Sequence, residues 1–256
     1  MKVVLLCGGL GTRLSEETHL VPKPMVRVGD MPILLHIMNM YSKHGIEDFV
    51  LALGFKAEVI KEFFLNFYAL NNDLRINLSN GSVEHLRQSH KDWKIDLIDT
   101  GLNTLTGGRL ARLKKHVGNE TFMLTYGDGV SDINITELMK FHKAHGKIAT
   151  FTAVRPPSRF GVIEFEGDKA VSFKEKPQTA DGWINGGFFV FEPSIFNYLE
   201  DGDETILERR PLERLAEEGQ LMGFKHEGFW QCMDTLRDKT YLNKVWEEGT
   251  APWIKK

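Results

Sequence analysis

Apolar positions follow two rhythms along the first half of the chain. Short apolar runs, KVVLL at 2–6, EDFVLAL at 47–53, KIDLIDT at 94–100 and TFMLTYGDG at 121–129, are bounded by turn residues and predict strands. LRINLS at 74–79 predicts a further short one. Between them the period lengthens to that of a helix. PILLHIMNMYSKHG predicts a helix opened by Pro32 and stopped by Gly45, and KAEVIKEFFLNFYAL predicts one with Val59, Ile60, Phe63, Phe64 and Phe67 on a single face. GRLARLKKHV and ITELMKFHKAHG supply two more. Strand, loop and helix in alternation predict an α/β fold with a Rossmann-like mixed, mainly parallel sheet flanked by helices, and ligands at the carboxyl ends of the strands.

After residue 150 the pattern changes. GVIEFEGDKAVSFKEKP predicts two strands joined through Gly167 and Asp168, hence a hairpin and a smaller β-rich lobe. No linker rich in Pro, Gly or Ser divides the chain, so residues 1–256 are expected to form one domain.

Bulk properties then narrow the chemistry. The 256 residues are 42% hydrophobic and 26% charged, and the net charge of -3 provides no global basic field for nucleic acid. No apolar run reaches the roughly 20 residues a bilayer span needs, and no signal peptide precedes Val3, so a cytoplasmic protein acting on small molecules is expected. The two cysteines, Cys7 and Cys232, form no metal-spaced set and are read as small buried residues. His142 and His145, three apart without a third ligand, are read as an exposed helical face. Trp246 and Trp253 near the C-terminus cover either the protein's own core or a neighbouring subunit.

The first candidate site is LLCGGLGTRL at 5–14, where a strand runs into Gly8, Gly9 and Gly11 beside Thr12 and Arg13. Glycines let main-chain N–H groups approach a phosphate, but the spacing matches neither a dinucleotide fingerprint nor a P-loop; a tight turn without ligand is the alternative. In VPKPMVRVG, Pro22 and Pro24 bracket Lys23 and predict a stiff, extended mount for its charge.

GGLGTRL followed by PKPM, then YGDG at 126–129, FKEKP at 173–177, INGGFFVF at 184–191 and GFWQCMDTLRD at 228–238 resemble, in order and spacing, the motifs of the sugar-1-phosphate nucleotidylyltransferases. GGLGTRLSEET, the TGG before Arg109 and MDTLRD are similar to the subgroup that transfers a cytidylyl group from CTP to glucose 1-phosphate. The resemblance implies a nucleotide-binding part at 1–150, a sugar-phosphate-binding part with the C-terminal segment at 151–256, a Mg2+ cofactor and a homo-oligomer. It implies catalytic roles for Arg13, Lys23 and Asp128. Nucleotide contacts are implied for Leu6, Cys7, Gly8, Gly9, Leu10, Gly11, Thr12, Arg13, Lys23, Thr104, Gly108, Arg109 and Asp128. Gly129, Glu175, Lys176, Asn185 and Gly186 fall to the sugar phosphate, and Asp128 with Asp234 to the metal. Several alternatives stay open: Asp234 as a helix cap, Thr104 as a turn residue, Glu175–Lys176 as a surface pair, and Arg109 on the base or on the triphosphate.

Overall fold

A computed structural model describes residues 1–86, 91–155, 162–166, 169–174 and 182–254. Eight strands, numbered here along the chain, build the main sheet: β1 (Lys2–Leu6), β2 (Asp48–Leu53), β3 (Lys94–Asp99), β4 (Phe122–Tyr126), β5 (Ala149–Val154), β6 (Ile184–Asn185), β7 (Phe189–Phe191) and β8 (Leu221–His226). Strands β3, β2, β1 and β4 lie side by side and parallel, with Leu5 opposite Leu51 and Thr125. Strand β7 then runs antiparallel to β4 and β5, while β8 is parallel to β5. Strands from both sides of residue 150 thus share one mixed, largely parallel sheet.

The reason lies in β1, whose side chains alternate between two apolar layers. Val3 and Leu5 enter one layer with Ile33, Ile37 and Tyr41 of helix α1 (Ile33–Ser42), and Val4 enters the other with Leu110 of helix α2 (Thr106–Arg112). A strand covered on both faces reads as an unbroken apolar run, which is why KVVLL shows no alternation. With both faces covered, the cavity lies at the carboxyl ends of the central strands.

Several expected elements are modified. The helix over 56–70 divides into Ala57–Leu65 and Phe67–Asn71, because Asn66 leaves helical geometry (φ -96, ψ 6) and turns its side chain onto the Glu62 carbonyl. GRLARLKKHV likewise divides at Leu113 into α2 and the short Lys114–Val117. LRINLS forms Leu74–Asn77, which pairs with Ser82–His85 as a hairpin separate from the main sheet. The later hairpin pairs Val162–Glu166 with Lys169–Lys174, antiparallel; its Gly167–Asp168 connection lies outside the described residues.

His142 corrects the expected exposed face. It is buried on helix α3 (Ile135–His145), with Nδ1 2.8 Å from the Thr150 hydroxyl and Nε2 3.1 Å from a Glu192 carboxylate oxygen. His145 is half-buried and also reaches Thr150. At the C-terminus Trp253 is buried in the protein's own core, donating its Nε1 proton to His36 Nδ1 at 3.1 Å. Trp246 packs edge-on to the same imidazole.

Candidate active site

A cavity of about 360 Å³ opens at the carboxyl ends of β1 and β4. Its wall contains Leu6, Cys7, Gly8, Gly9, Gly11, Thr12, Arg13, Lys23, Thr104, Arg109 and Asp128, all singled out from the sequence, together with Pro24, Leu105, Thr106, Tyr126 and Gly127. Leu10 and Gly108 are not among the lining residues. Leu10 is exposed, and Gly108 packs on the 202–203 backbone so closely that a Cβ would lie 2.8 Å from Gly202 O.

The glycine loop owes its shape to two close approaches. Gly11 has φ +64, and a Cβ there would stand 2.7 Å from Thr18 Cγ2, so both conformation and space require glycine. At Gly8 a Cβ would fall 2.2 Å from Arg109 Nη1. Arg109 is buried, and its Nη1 donates to Leu53 O, Thr100 Oγ1 and Gly101 O at 3.0, 2.7 and 2.8 Å. Nη2 donates to Gly8 O at 2.9 Å and Leu102 O at 3.2 Å. Burial lowers the pKa of this guanidinium, and the ring of carbonyl oxygens supplies the acceptors that a buried cation requires. Arg109 therefore ties the glycine loop to the ends of β2 and β3 from beneath.

Lys23 is held differently from the expected extended mount. Lys23–Met25 is a single 3-10 turn between extended Pro22 and Val26, closed by Met25 N donating to Pro22 O at 2.8 Å and Val26 N donating to Lys23 O at 3.1 Å. Pro24 and Met25 are buried, so the turn that carries Lys23 is anchored. Its Nζ donates to Asp128 Oδ2 at 2.6 Å and to Asp234 Oδ1 at 2.5 Å. Arg13 Nη1 donates to the other oxygen of Asp234 at 2.7 Å.

The two aspartates meet because Gly129–Ser131 pairs antiparallel with Trp230–Cys232, placing Gly129 opposite Cys232, and Met233 N donates to Asp128 O at 2.8 Å. Asp234 is not the cap of the following helix, α4 (Leu236–Glu247). Thr235 caps it, with Asp238 returning the bond to the Thr235 N–H at 2.9 Å in a capping box, so the Asp234 carboxylate is free to face Lys23. Burial acts to raise the Asp234 pKa, but the bond and charge of Lys23, with Arg13, outweigh it and hold the carboxyl below its ordinary range. Burial pulls Lys23 down; Asp128 and Asp234 prevail and keep its pKa above the ordinary lysine value. At neutral pH the cluster is an ammonium between two carboxylates.

Both thiols beside this cluster are inert. Burial and the Asp128 charge push Cys7 well up, and burial with the Asp234 charge pushes half-buried Cys232 up to about 12. Neither supplies a thiolate at neutral pH.

Strands β6 and β7 are parted at Gly186–Phe188, where Gly187 and Phe188 have φ +78 and +47. A Cβ on Gly187 would touch the Tyr126 ring at 3.0 Å, and Asn185 Nδ2 donates to Tyr126 Oη at 3.3 Å. Asn185 and Gly186 are thereby brought to the rim beside Tyr126, and Trp230 Nε1 donates to Gly186 O at 2.8 Å. Glu175 and Lys176 lie outside the described residues. Sequence reasoning missed Tyr126, whose only signal was its place directly before GDG, and Thr106, whose signal was its place directly before the Gly107–Gly108 pair.

Among the described residues no group of three or more His, Cys, Asp or Glu side chains is arranged to hold a metal, and no helix is long and apolar enough to cross a membrane. The Asp128–Asp234 pair still presents two hard oxygen donors to one point that a cation already fills.

The chain is similar to known proteins over nearly its whole length. Residues 2–238 match the nucleotidyl transferase family. The chain is 51% identical over 254 residues to glucose-1-phosphate cytidylyltransferase of Salmonella typhi, covering 99% of this chain and 98% of that one. It is 32% identical over 247 residues to mannose-1-phosphate guanylyltransferase catalytic subunit beta of Danio rerio, covering 94% of this chain and 63% of that one. Among solved structures, HddC from Yersinia pseudotuberculosis complexed with GMP-PN shares the fold, with a TM-score of 0.69, 21% identity, and coverage of 96% of this chain and 99% of that one. The chain belongs to the nucleotidyl transferase family.

Proposed function

We propose that this enzyme transfers the cytidylyl group of CTP to α-D-glucose 1-phosphate, giving CDP-glucose and pyrophosphate. The observation that carries the chemistry is the Lys23 ammonium seated between Asp128 and Asp234 at the mouth of the glycine loop. The choice of CTP and glucose 1-phosphate is supported by the 51% identity, over nearly the whole chain, to the Salmonella typhi cytidylyltransferase.

A phosphate oxygen of the sugar attacks the α-phosphorus, the bond to the bridging oxygen breaks, and pyrophosphate leaves on the opposite side. Two anions must meet, so positioning and charge stabilisation carry the catalysis. The N–H groups from Gly8 to Gly11, with Thr12 and Arg13, receive the β- and γ-phosphates. Lys23 turns from the aspartates to the α-phosphate, where its charge acts most strongly as the phosphorus becomes crowded. Thr104 faces the base and ribose, while Arg109 fixes the loop from which the phosphate-facing N–H groups project. Asn185 and Gly186, with Gly129, Glu175 and Lys176, take the sugar phosphate.

Asp128 and Asp234 are the residues that would hold Mg2+. Two carboxylates suit an ion that takes few protein ligands and completes its shell with water and phosphate. When bound, the ion neutralises charge on the phosphates. Direct displacement needs no covalent enzyme intermediate, and burial holds both thiols in their protonated form. We place the enzyme in the cytoplasm, as a homo-oligomer.

The test is a triphosphate panel. Purified protein, Mg2+ and glucose 1-phosphate are incubated with CTP, UTP, dTTP or GTP, and pyrophosphate is measured. CTP should be turned over far faster than the rest; equal rates would refute the base assignment, and no turnover with any would favour a nucleotide-binding regulator.

A further inference from the structure

Glu208 lies in the stretch that leads into helix Arg210–Glu217, away from every motif that marks the site. Its carboxylate is half-buried and serves two hydroxyls. Tyr126 Oη donates to Oε1 at 2.5 Å, and Thr106 Oγ1 donates to Oε2 at 2.6 Å. Both hydroxyl-bearing residues line the cavity.

The chain of bonds continues in two directions. Tyr126 Oη accepts from Asn185 Nδ2 at 3.3 Å, and Thr106 Oγ1 accepts from Leu207 N at 3.0 Å. An ionised carboxylate only accepts, so both hydroxyl protons must point at Glu208. That orientation leaves the Tyr126 oxygen free to accept from Asn185. The same strap also takes the N–H groups of Leu105, on Asp203 O, and Gly107, on Thr205 O, both at 2.9 Å.

We propose that Glu208 is a positioning residue that aligns the sugar-side Asn185, through Tyr126, with the nucleotide-side loop at Thr106. This rests on the functional reading above. The carboxylate touches neither substrate; it fixes the distance between the two walls that must bring phosphate oxygen and α-phosphorus together. A glutamine at 208 has one acceptor oxygen for two hydroxyls, so each loses its partner part of the time. Losing a hydrogen bond to a charged group is worth about tenfold or somewhat more in binding.

Steady-state kinetics of Glu208→Gln, Tyr126→Phe and the double variant test this, with thermal unfolding midpoints alongside. Glu208→Gln should raise KM for both substrates, the sugar phosphate by about tenfold. Tyr126→Phe should raise KM for the sugar phosphate by a similar factor and leave that for the triphosphate within about twofold. The double variant should have a sugar-phosphate KM no higher than the worse single one, because both changes cut one chain. Multiplying effects would overturn the proposal, as would a Glu208→Gln protein with a lowered midpoint but wild-type KM values, the behaviour of a simple brace. Should Glu208→Gln fail to fold, an unchanged sugar-phosphate KM in Tyr126→Phe is enough to reject the idea. Wild-type protein is run with all four triphosphates: preference for another one revises the functional reading, while variant-to-wild-type ratios on that nucleotide still decide the role of Glu208.

Discussion

Lys23 Nζ lies 2.5 Å from Asp234 Oδ1, a bond between residues 211 positions apart in the chain. With Asp128 at 2.6 Å on the same ammonium, the lysine bridges two carboxylates that would otherwise repel one another. It therefore holds the point at which we propose a divalent cation enters, and must move as metal and nucleotide bind. Lys23→Met should lower turnover by roughly 10²–10³, the loss expected for one transition-state-stabilising group. Without nucleotide the same variant should bind Mn2+ more tightly than wild type, read from the loss of the free-ion EPR signal. Weaker binding would show that Lys23 does not compete for that point.

Asp128→Asn should leave the fold intact and also cost roughly 10²–10³ in turnover. A Mg2+ titration measures this directly. Wild-type rates and an unchanged metal requirement would remove Asp128 from the site.

The fit of Arg109 beneath the glycine loop makes two neighbouring glycines unequal. Gly8→Ala places a methyl 2.2 Å from Arg109 Nη1 and should cost about 1–3 kcal/mol of stability, whereas Gly9, with nothing within 4 Å, should tolerate alanine within about 0.5 kcal/mol. Urea denaturation of both variants checks the contrast.

Thr235→Ala removes the capping-box side chain and should destabilise by about 1 kcal/mol. Because the neighbouring Asp234 N–H shares Asp238 Oδ2 at 3.1 Å, turnover should fall as well. A stability loss with full activity would mean that Asp234 is positioned by its partners across the site and not by the cap.

His36 should make the protein sensitive to mild acid. Trp253 Nε1 is only a donor, so His36 Nδ1 must accept and His36 Nε2–H must donate to Val28 O at 2.8 Å, which fixes a neutral imidazole. Burial lowers its pKa, outweighing the Val28 bond and the Asp30 charge. A histidine with a depressed folded pKa contributes stability that is present above the unfolded value near 6.5 and is lost as pH falls from there through the folded value. Thermal midpoints should therefore drop as pH falls below about 6.5, and His36→Gln should flatten that slope.

What the sequence made legible was local. The Gly8–Gly11 loop, Lys23, Asp128 and Asp234 each sit in a short motif that, in order with the others, resembles those of the family, and the structure brings them together. The hidden features depend on distant partners. Nothing in TGGR says that the Arg109 guanidinium turns inward to five protein oxygens from three separate segments, Gly8, Leu53 and 100–102. His142 could not be placed inside without Thr150 and Glu192, and Glu208 belongs to no motif because its role comes from two hydroxyls elsewhere in the chain. The break at Asn66 escaped for the opposite reason: the Phe63–Phe67 periodicity continues through it, while the backbone does not.

Under the proposed mechanism, sugar phosphate displaces pyrophosphate from CTP in this cleft. Its most direct measurement follows CTP labelled at the α-phosphorus, incubated with the enzyme, Mg2+ and glucose 1-phosphate. The label should move into CDP-glucose, with one unlabelled pyrophosphate formed for each. Label found in CMP without sugar nucleotide, or left in CTP, would contradict it.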